Sequence, residues 1–400
     1  MDNKIIAIIV VALLAIGGVV TYVVVNGGDK GGSTDVTYDA SAYNLIARVN
    51  SEGSGLFIES ELLQDGKMIP TRAINGVPFY ADDFTISKEN KAAWGGLVFS
   101  DPGPNSIQHT QLIAIANELG LEPAQYQYGQ TTDVNKLYYF TGLSNYGMIS
   151  QNNEIQGGII WEPQFQRVIQ EDSDRFVLLA LTNDLFPEHT CCVIASNHNW
   201  LVKNEDTAVR FLAGYIEGVD FIVNAVKSGG DDYNKLIEIA KSTTQGLTDD
   251  EIKSALNDIE YLYADDDKGQ LNKLTSDVSE LATELSDLGI IPKAKLKDAD
   301  KLAKAFVDDK YLKKAVAGVE GQTETKTISV AVITGDIHQL AIHVAIHQEY
   351  FKNYGIEISL TPGASGGDVA TVLLSNDVQI GFLGAPPATI NTVNGEHIKY

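Results

Sequence analysis

The stretch TISVAVITGDIHQLAIHVAIHQEYFKNYGIEISL, residues 327–360, decides the fold class. It opens with an apolar run typical of a buried strand, continues with apolar residues at helical spacing, and ends with a second short apolar run. Strand, helix and strand in this order are the unit of a parallel sheet that is covered by helices. The chain is therefore predicted to contain an α/β domain.

The same alternation continues to residue 400 and recurs upstream. After residue 360 the pattern predicts a helix at 365–376, a strand at 378–384, a helix at 385–395, and the opening of a further strand at 397–400. The upstream runs predicted as buried strands are 44–50, 96–100, 157–161 and 190–196. A mostly helical part follows at 205–316, in which Leu271, Leu274, Val278, Leu281 and Leu285 are predicted to form a core-facing stripe.

The composition argues against one class of partner. The chain has 400 residues and a formal net charge of −24, with 53 acidic and 29 basic side chains. This length accommodates two or three compact units. Nucleic-acid binding requires clustered Lys and Arg to contact phosphates, so the acidic balance indicates that nucleic acid is not a partner.

The N-terminal segment is predicted to cross a membrane. Residues 5–25, IIAIIVVALLAIGGVVTYVVV, carry no charge and would span about 31 Å as a helix, close to the thickness of a bilayer core. Because a small-x-small cleavage site is lacking, an uncleaved anchor is favoured, with residues 1–4 as a short flank and 26–42 as a flexible tether. We expect one N-terminal span in the cell membrane and the binding domain outside the cell.

The cysteines and two histidines allow little metal or redox chemistry. Cys191 and Cys192 are adjacent, and a disulfide between neighbours strains their peptide bond, so they are predicted to be small apolar residues in a strand. His343 and His347 are four residues apart, a spacing that can bind a metal, but a solvated helix face is the favoured interpretation. No metal and no cofactor is predicted.

Several runs carry a family resemblance. GDIHQLAIHVAIHQEYFKNYGIEISL (335–360) and GASGGDVATVLLSNDVQIGFLGAPPATI (363–390) resemble the opening of a solute-binding protein of the nitrate/sulfonate/taurine class of ABC importers. Upstream, GGLVFSDPGPNSIQHTQLIAIANELGLEP (95–123) resembles the start of the second lobe of that family, and GGIIWEPQ (157–164) resembles a strand end within it. The resemblance implies a two-lobed type II periplasmic-binding fold.

These runs do not follow the order of the family, whose members run from the equivalent of 328–400 into the equivalent of 43–316. We interpret the chain as a circular permutant in which residues 317–327 join the old termini, so Tyr400 is expected to lie beside Asn44. Three alternatives stay open: a truncated second copy of a tandem protein, a swapped dimer, and an artefact of sequence assembly.

Under this interpretation the chain divides into four parts. Residues 328–400 form the first part of lobe 1, 43–94 the rest of it, 95–190 lobe 2, and 191–316 the return to lobe 1 with the C-terminal helices. The hinge is expected near residues 95 and 190.

The expected ligand contacts lie where helices begin at strand ends. Unpaired backbone N–H groups at such helix starts bind anions. The predicted helix starts are 334–339, 363–367, 384–387, 51–55 and 103–108. His338 and Gln339 are added by the resemblance, and Trp161 and Glu162 could supply stacking and a carboxylate. The candidate ligand-binding residues are Asp336, His338, Gln339, Ser365, Gly366, Gly384, Ala385, Ser54, Gly55, Ser106, Gln108, Trp161 and Glu162.

The resemblance implies an extracytoplasmic solute-binding protein that captures a small organic anion or zwitterion between its lobes. Its partners would then be the permease of an ABC importer and the ATPase of that permease. An enzyme of the thiamine-pyrimidine-synthase type on the same fold and a non-transporting ligand sensor remain alternatives. No nucleophile–base pair can be assembled from the sequence, so no catalytic residue is assigned and enzymatic activity is not expected.

Overall fold

The strands around residue 330 form one half of a six-stranded sheet. A computed structural model describes residues 38, 42–64, 71–74, 77–80, 91–244, 246–262, 270–320 and 324–394. In spatial order the strands of this first sheet are β11 (Ile259–Tyr261), β1 (Tyr43–Glu52), β10 (Thr190–Asn197), β14 (Ile380–Gly384), β12 (Lys326–Ile333) and β13 (Ile356–Gly363). The first sheet therefore combines strands from the beginning and the end of the described chain.

In the first sheet, β1 runs parallel to β12, β13 and β14. β12 pairs in parallel with both β13 and β14. β10 is antiparallel to β14 on one side and to β1 on the other. Most residues of these central strands are buried, which explains why they read as continuous apolar runs.

A second six-stranded sheet lies within residues 54–181. Its strands in spatial order are β6 (Glu122–Gln125), β7 (Lys136–Thr141), β5 (Val98–Asp101), β8 (Gly157–Trp161), β2 (Ser54–Glu59) and β9 (Phe176–Leu181). β5 pairs in parallel with β7 and β8, whereas β2 is antiparallel to β8 and β9. A short hairpin, β3 (Thr71–Ile74) and β4 (Val77–Tyr80), follows β2 along the chain.

Helices cover both sheets, so the chain is mixed α/β, as predicted. The first group of helices is α1 (Ser60–Gln64), α2 (Lys91–Trp94), α3 (Ile107–Leu119), α4 (Tyr146–Ser150), α5 (Gln164–Glu171), α6 (Thr182–Leu185), α7 (His198–Lys203), α8 (Glu205–Ser228) and α9 (Gly230–Thr244). The second group is α10 (Asp249–Asp258), α11 (Gln270–Asp287), α12 (Ala299–Phe306), α13 (Lys310–Val316), α14 (Leu340–His347), α15 (Tyr350–Asn353), α16 (Gly366–Leu374) and α17 (Ala385–Asn394), with a 3-10 turn at Ile337–Gln339.

Two helix predictions can be compared with the structure in detail. The stripe on α11 is confirmed for Leu274, Val278, Leu281 and Leu285, which are all buried. The single helix expected over residues 338–355 is instead a 3-10 turn and two helices, because Glu349 adopts a φ of 62° that ends α14 before α15 begins.

The chain crosses from the first sheet to the second at Gly53. Ser51 pairs with Glu260 in the first sheet, and Ser54 pairs with Trp161 in the second. The predicted helix start at 51–55 is therefore wrong, since these residues continue two strands. The left-handed φ of 87° at Gly53 redirects the chain between them, a conformation that glycine adopts without steric cost.

The chain returns to the first sheet through residues 182–189, between β9 and β10. This segment lies next to residue 190, where a hinge is expected; the hinge itself stays a prediction. The first crossing lies at Gly53 rather than near residue 95, because β2 already belongs to the second sheet.

Two sequence predictions concern residues outside the described ranges. The predicted span at 5–25 lies there, and among the residues that the structure describes no helix is long and apolar enough to cross a membrane. Tyr400 also lies there, so its expected position beside Asn44 stays a prediction. Cys191 and Cys192 are buried in β10 and not joined by a disulfide, which confirms their interpretation as apolar strand residues.

Candidate functional site

Three helices begin directly after strand ends, as the helix-start signals at 103–108, 363–367 and 384–387 predict. Ser106 caps α3 by accepting a hydrogen bond from His109 N, and Ser365 caps α16 by accepting one from Asp368 N. α17 begins at Ala385, immediately after β14. The first turns of α3 and α16 therefore present backbone N–H groups near the carboxyl end of a strand, whereas Pro386 and Pro387 in the first turn of α17 have none.

The first residues of α3 and α17 line one cavity of about 170 Å³. Ile107, the first residue of α3, packs into the core of the first sheet, although the rest of its helix covers the second sheet. Ala385 lines the same cavity from the first sheet. The crossing segment 186–190 and one face of α11 complete the wall. The structure thus brings helix starts from both sheets to one enclosed space.

The α11 side of this cavity is acidic. Asp277, Glu280 and Glu284 line it together with Lys273, whose Nζ lies 2.8 Å from Asp277 Oδ1. Burial raises the pKa of Glu284. The cavity therefore has carboxylates on one side and the first residues of α3 and α17 on the other.

Arg48, which the sequence analysis did not select, anchors this acidic face to β1. Its Nε donates to Thr190 Oγ1 at 2.7 Å and lies 3.3 Å from Asp277 Oδ2. Burial lowers the pKa of Arg48, and the charges of Asp277, Glu188 and Glu52 act in the opposite direction. The sequence contains a signal that could have identified Arg48, namely a charged residue within the predicted buried strand NLIARVN. A buried charge requires a partner, so this residue was a candidate for an ion pair.

His189 contributes an unusual acceptor to the cavity wall. Its Nδ1 lies 2.8 Å from Phe186 O, and because a carbonyl oxygen only accepts, Nδ1 must carry the hydrogen. Burial lowers the pKa of His189 to about 4, so the ring is neutral near pH 7. Its Nε2 is consequently an acceptor, and it is buried without a hydrogen-bond partner.

A second group of predicted residues gathers at the crossing around Gly53. Asp336 Oδ1 lies 2.8 Å from His338 Nδ1, and His338 Nε2 lies 2.9 Å from Gly53 O. The amide of Gln339 accepts from Ile333 N and donates to Asp336 Oδ2. The polar atoms of His338 and Gln339 are thus occupied by protein groups.

The second sheet contributes the remaining predicted residues to the crossing. Gln108 Nε2 donates to Ser54 Oγ at 2.8 Å, and both side chains are buried. Gly55 lies so close to Phe165 that an added Cβ would be 2.3 Å from its ring. Trp161 pairs with Ser54 and is partly exposed.

Glu162 is fully buried and lies beside a second carboxyl group. Its Oε1 accepts from Gln166 Nε2 at 3.0 Å, and the same nitrogen donates to Asp258 Oδ2 at 2.8 Å. Burial and the nearby charge of Asp258 raise the pKa of Glu162 well above its usual range. Gln166 and Asp258 were missed by sequence analysis, because they are far apart along the chain.

The last predicted residues lie at the starts of α16 and α17. Ser365 is exposed, and a Cβ built on Gly366 would lie 3.5 Å from Gly384 N, so the two helix starts adjoin. The structure thus places Ala385 in the lining of the cavity, and Ser106 directly precedes the lining residue Ile107. A larger group of the predicted residues lies around Gly53.

The described ranges contain no group of three or more His, Cys, Asp and Glu side chains that could bind a metal ion. His343 is partly buried and His347 is exposed. Burial lowers the pKa of His343 to about 4.

No protein-family model and no curated protein matches the chain. Among solved structures it is similar to the ligand-binding component of an ABC-type import system from Staphylococcus aureus with zinc bound, at 16% identity over 69% of this chain and 75% of that chain, with a TM-score of 0.44. It is also similar to the periplasmic nitrate-binding protein NrtA from Synechocystis PCC 6803, at 14% identity over 69% of this chain and 67% of that chain, with a TM-score of 0.49. Likenesses at this level say nothing about the ligand or partners of the present chain.

Proposed function

We propose that the chain is an extracytoplasmic solute-binding protein that captures a small organic ligand between its two sheets. The observation that supports this most is the shared cavity, in which the first residue of α3 and the first residue of α17 line one space beside a crossing segment. Ligands in open α/β sheets bind in the crevice at the carboxyl ends of the strands. In this chain that crevice is formed by two sheets that are joined by two short crossings.

The lining favours a zwitterion within the predicted class of organic anions and zwitterions. The start of α3 suits a sulfonate or carboxylate, because the first N–H groups of a helix lack intrahelical partners and the helix dipole is positive at that end. The start of α17 adds little to this, since Pro386 and Pro387 carry no N–H group. The carboxyl groups of Glu280 and Glu284 suit an ammonium group on the opposite side, whereas Asp277 is already paired with Arg48 and Lys273. An aminosulfonate such as taurine carries both groups, whereas nitrate carries only the negative charge.

Calorimetric titration with taurine, an alkyl sulfonate lacking the amine, and nitrate tests this proposal. We expect saturable binding of unchanged taurine and weaker binding of the other two. Glu284→Gln should weaken taurine at least about 5-fold while leaving the alkyl sulfonate unaffected, because only the ammonium contact changes. Glu320→Gln, at an exposed position, is the matched control. Chemical turnover of a ligand would support the enzyme alternative, and binding of no anion or zwitterion would contradict the proposal.

We also infer that the domain is a circular permutant completed within one chain, with a type II periplasmic-binding fold. β14 pairs with β10 in the register Cys192 to Gly384 and Ser196 to Ile380, which joins the segment 326–384 to the sheet. Tyr43 OH donates to Ala388 O at 3.0 Å, so the start of β1 contacts the helix that precedes the expected cut. Both observations support completion in cis.

A rearranged chain tests the permutation directly. Placing residues 324–400 ahead of residues 43–316 restores the order of the family and should give a monomer with an unchanged unfolding midpoint. Light scattering of the natural order should likewise give a monomer. A dimer that dissociates only on unfolding would favour the swapped arrangement, and a rearranged chain that fails to fold would contradict the inference.

The proposed partners are the permease and ATPase of an ABC importer, reached from a membrane anchor at residues 5–25. The domain would then be extracellular, tethered by residues 26–42. Protease treatment of intact cells should release the domain while the anchor remains in the membrane fraction. Protection from protease until the cells are lysed would contradict this location.

A further inference from the structure

The carbonyl oxygen of Gly53 joins the two sheets at the first crossing. It accepts a hydrogen bond of 2.9 Å from His338 Nε2, whose side chain belongs to the turn after β12 in the first sheet. It also accepts a backbone hydrogen bond of 2.9 Å from Glu162 N, directly after β8 in the second sheet. One atom at the crossing therefore receives a donor from each side.

His338 can make its contacts only as a cation. Its Nδ1 faces Asp336 Oδ1 at 2.8 Å and its Nε2 faces Gly53 O at 2.9 Å. The carbonyl oxygen only accepts, and Asp336 already receives donors from His338 N and Gln339 Nε2, as a carboxylate does. Both ring nitrogens must therefore donate, although the ring is only 1% exposed.

A second proton lies on the other side of the same crossing. Glu162 is fully buried, and Gln166 Nε2 donates to both Glu162 Oε1 and Asp258 Oδ2. Asp258 ends α10, directly before β11 of the first sheet, whereas Glu162 and Gln166 follow β8 of the second. Asp258 is partly exposed, whereas Glu162 is fully buried beside it, so Glu162 is the carboxyl group for which the protonated form is favoured.

We propose that these groups form a proton-dependent clasp that fixes the angle between the two sheets and that opens when its protons are lost. The clasp consists of Asp336, His338, Glu162, Gln166 and Asp258 around Gly53 O. Loss of the His338 proton leaves one of its two acceptors without a donor. Loss of the Glu162 proton places two negative charges side by side. Both losses weaken the contact between the sheets.

The charges support one direction of the response. Burial lowers the pKa of His338, but the charges of Asp336 and Cys191 and the hydrogen bonds with Asp336 and Gly53 together raise that pKa to about 9. Burial and Asp258 raise the pKa of Glu162. His338 therefore holds its proton near pH 7 and loses it as the pH rises, and the raised pKa of Glu162 acts in the same direction. The clasp should be closed at neutral pH and should open in alkaline solution.

The titratable groups that surround the clasp do not replace the charge of His338. His189, ahead of β10, and His343, on α14, have pKa values lowered by burial to about 4 and are neutral. Tyr261 on β11 donates to Ile337 O, and burial raises its pKa. Cys191 on β10 has a pKa lowered by its hydrogen bond with Cys192, so any negative charge there would stabilise the imidazolium.

Pulsed electron–electron spin-distance measurements on the full chain, without ligand, test the clasp. One spin label is attached at Tyr128→Cys, in the connection between β6 and β7, and the other at Val202→Cys, on α7. The side chains of Tyr128 and Val202 are 77% and 63% exposed, and the distance between the two labels reports the separation of the two sheets. We expect the mean distance to lengthen by several ångström between pH 7 and pH 10. Because no ligand is present, this measurement does not depend on the proposed function. A failure of the clasp can therefore be distinguished from a failure of the proposed function.

Variants separate the clasp from general effects of pH. His338→Gln should give the long distance already at pH 7 and no further response, whereas His347→Gln, at an exposed position, should behave like the unmodified chain. Glu162→Gln supplies a permanent N–H toward Asp258 and should reduce the opening at pH 10.

The titration of the imidazole itself gives a readout that does not depend on a variant folding. Carbon-13 labelling of the seven histidines allows the His338 transition to be followed by NMR. A transition well above pH 8 is expected. A distance that is constant from pH 7 to pH 10, a His338→Gln variant with an unchanged pH response, or a His338 transition near pH 6.5 would each overturn the proposal.

Discussion

Replacing Asp277 by alanine leaves the buried guanidinium of Arg48 without the carboxylate beside it. Asp277 Oδ2 lies 3.3 Å from Arg48 Nε, and the two side chains are 9% and 3% exposed. The same oxygen accepts a hydrogen bond from Thr190 Oγ1 at 2.5 Å. The substitution therefore removes the charge that compensates a cation on β1 and detaches α11 from the strand it packs against.

Removing one partner of a buried ion pair costs about 3–5 kcal/mol, because the remaining charge stays desolvated. We expect Asp277→Ala to lower the free energy of unfolding by this amount. Arg48→Met should cost less, since Asp277 keeps Lys273 at 2.8 Å. The double variant Arg48→Met/Asp277→Ala should recover part of the loss, because neither charge is then buried alone.

Urea unfolding at pH 7 provides the measurement, with the four chains of the double-mutant cycle compared at equal slope. The matched control is Asp287→Ala, which removes an ion pair of 3.0 Å with Lys293. The side chains of Asp287 and Lys293 are 67% and 73% exposed. Exposed pairs contribute below about 1 kcal/mol. An Asp277→Ala loss no larger than that of Asp287→Ala would refute the reasoning.

Two further predictions concern packing and acid stability. Gly55→Ala places a Cβ 2.3 Å from the Phe165 ring and should lower the free energy of unfolding in urea by about 1–3 kcal/mol. The control Gly147→Ala, where the nearest neighbour of an added Cβ is 3.5 Å away, should be neutral or stabilising. Equal effects of the two substitutions would contradict the packing argument. His189 and His343 have folded pKa values lowered to about 4, so the unfolded chain binds more protons below pH 6.5. Stability should therefore fall by about 2 kcal/mol per histidine between pH 7.5 and pH 5, and His343→Gln should remove one of these losses.

The strand and helix pattern was predictable where burial dictates residue type. β8 was predicted at its exact bounds because both faces of Gly157–Trp161 pack against other elements, so every position reads as apolar or glycine. The stretch at 51–55 was not, because Ser and Gly start helices and also redirect strands. Only the long-range pairing of Ser51 with Glu260 decides between these two structures.

The candidate site was predictable only in part, for a related reason. Helix starts depend on neighbouring residues, so Ser106 and Ser365 could be located from the sequence. Contacts between distant residues leave little local signal, and Asp277, His189 and Asp258 were therefore missed. His338 was selected, but its two acceptors at Asp336 and Gly53 become evident only when both are in place.

The strand order of the first sheet has a consequence for folding during synthesis. All six strands of the second sheet lie between residues 54 and 181, so that sheet can form while the ribosome is still translating later segments. The first sheet needs β1 near the start and β14 at Ile380–Gly384 on opposite sides of β10. Until β14 emerges, one edge of β10 remains unpaired and prone to contact other chains. Slower translation after residue 200 should therefore increase aggregation more than slower translation before it.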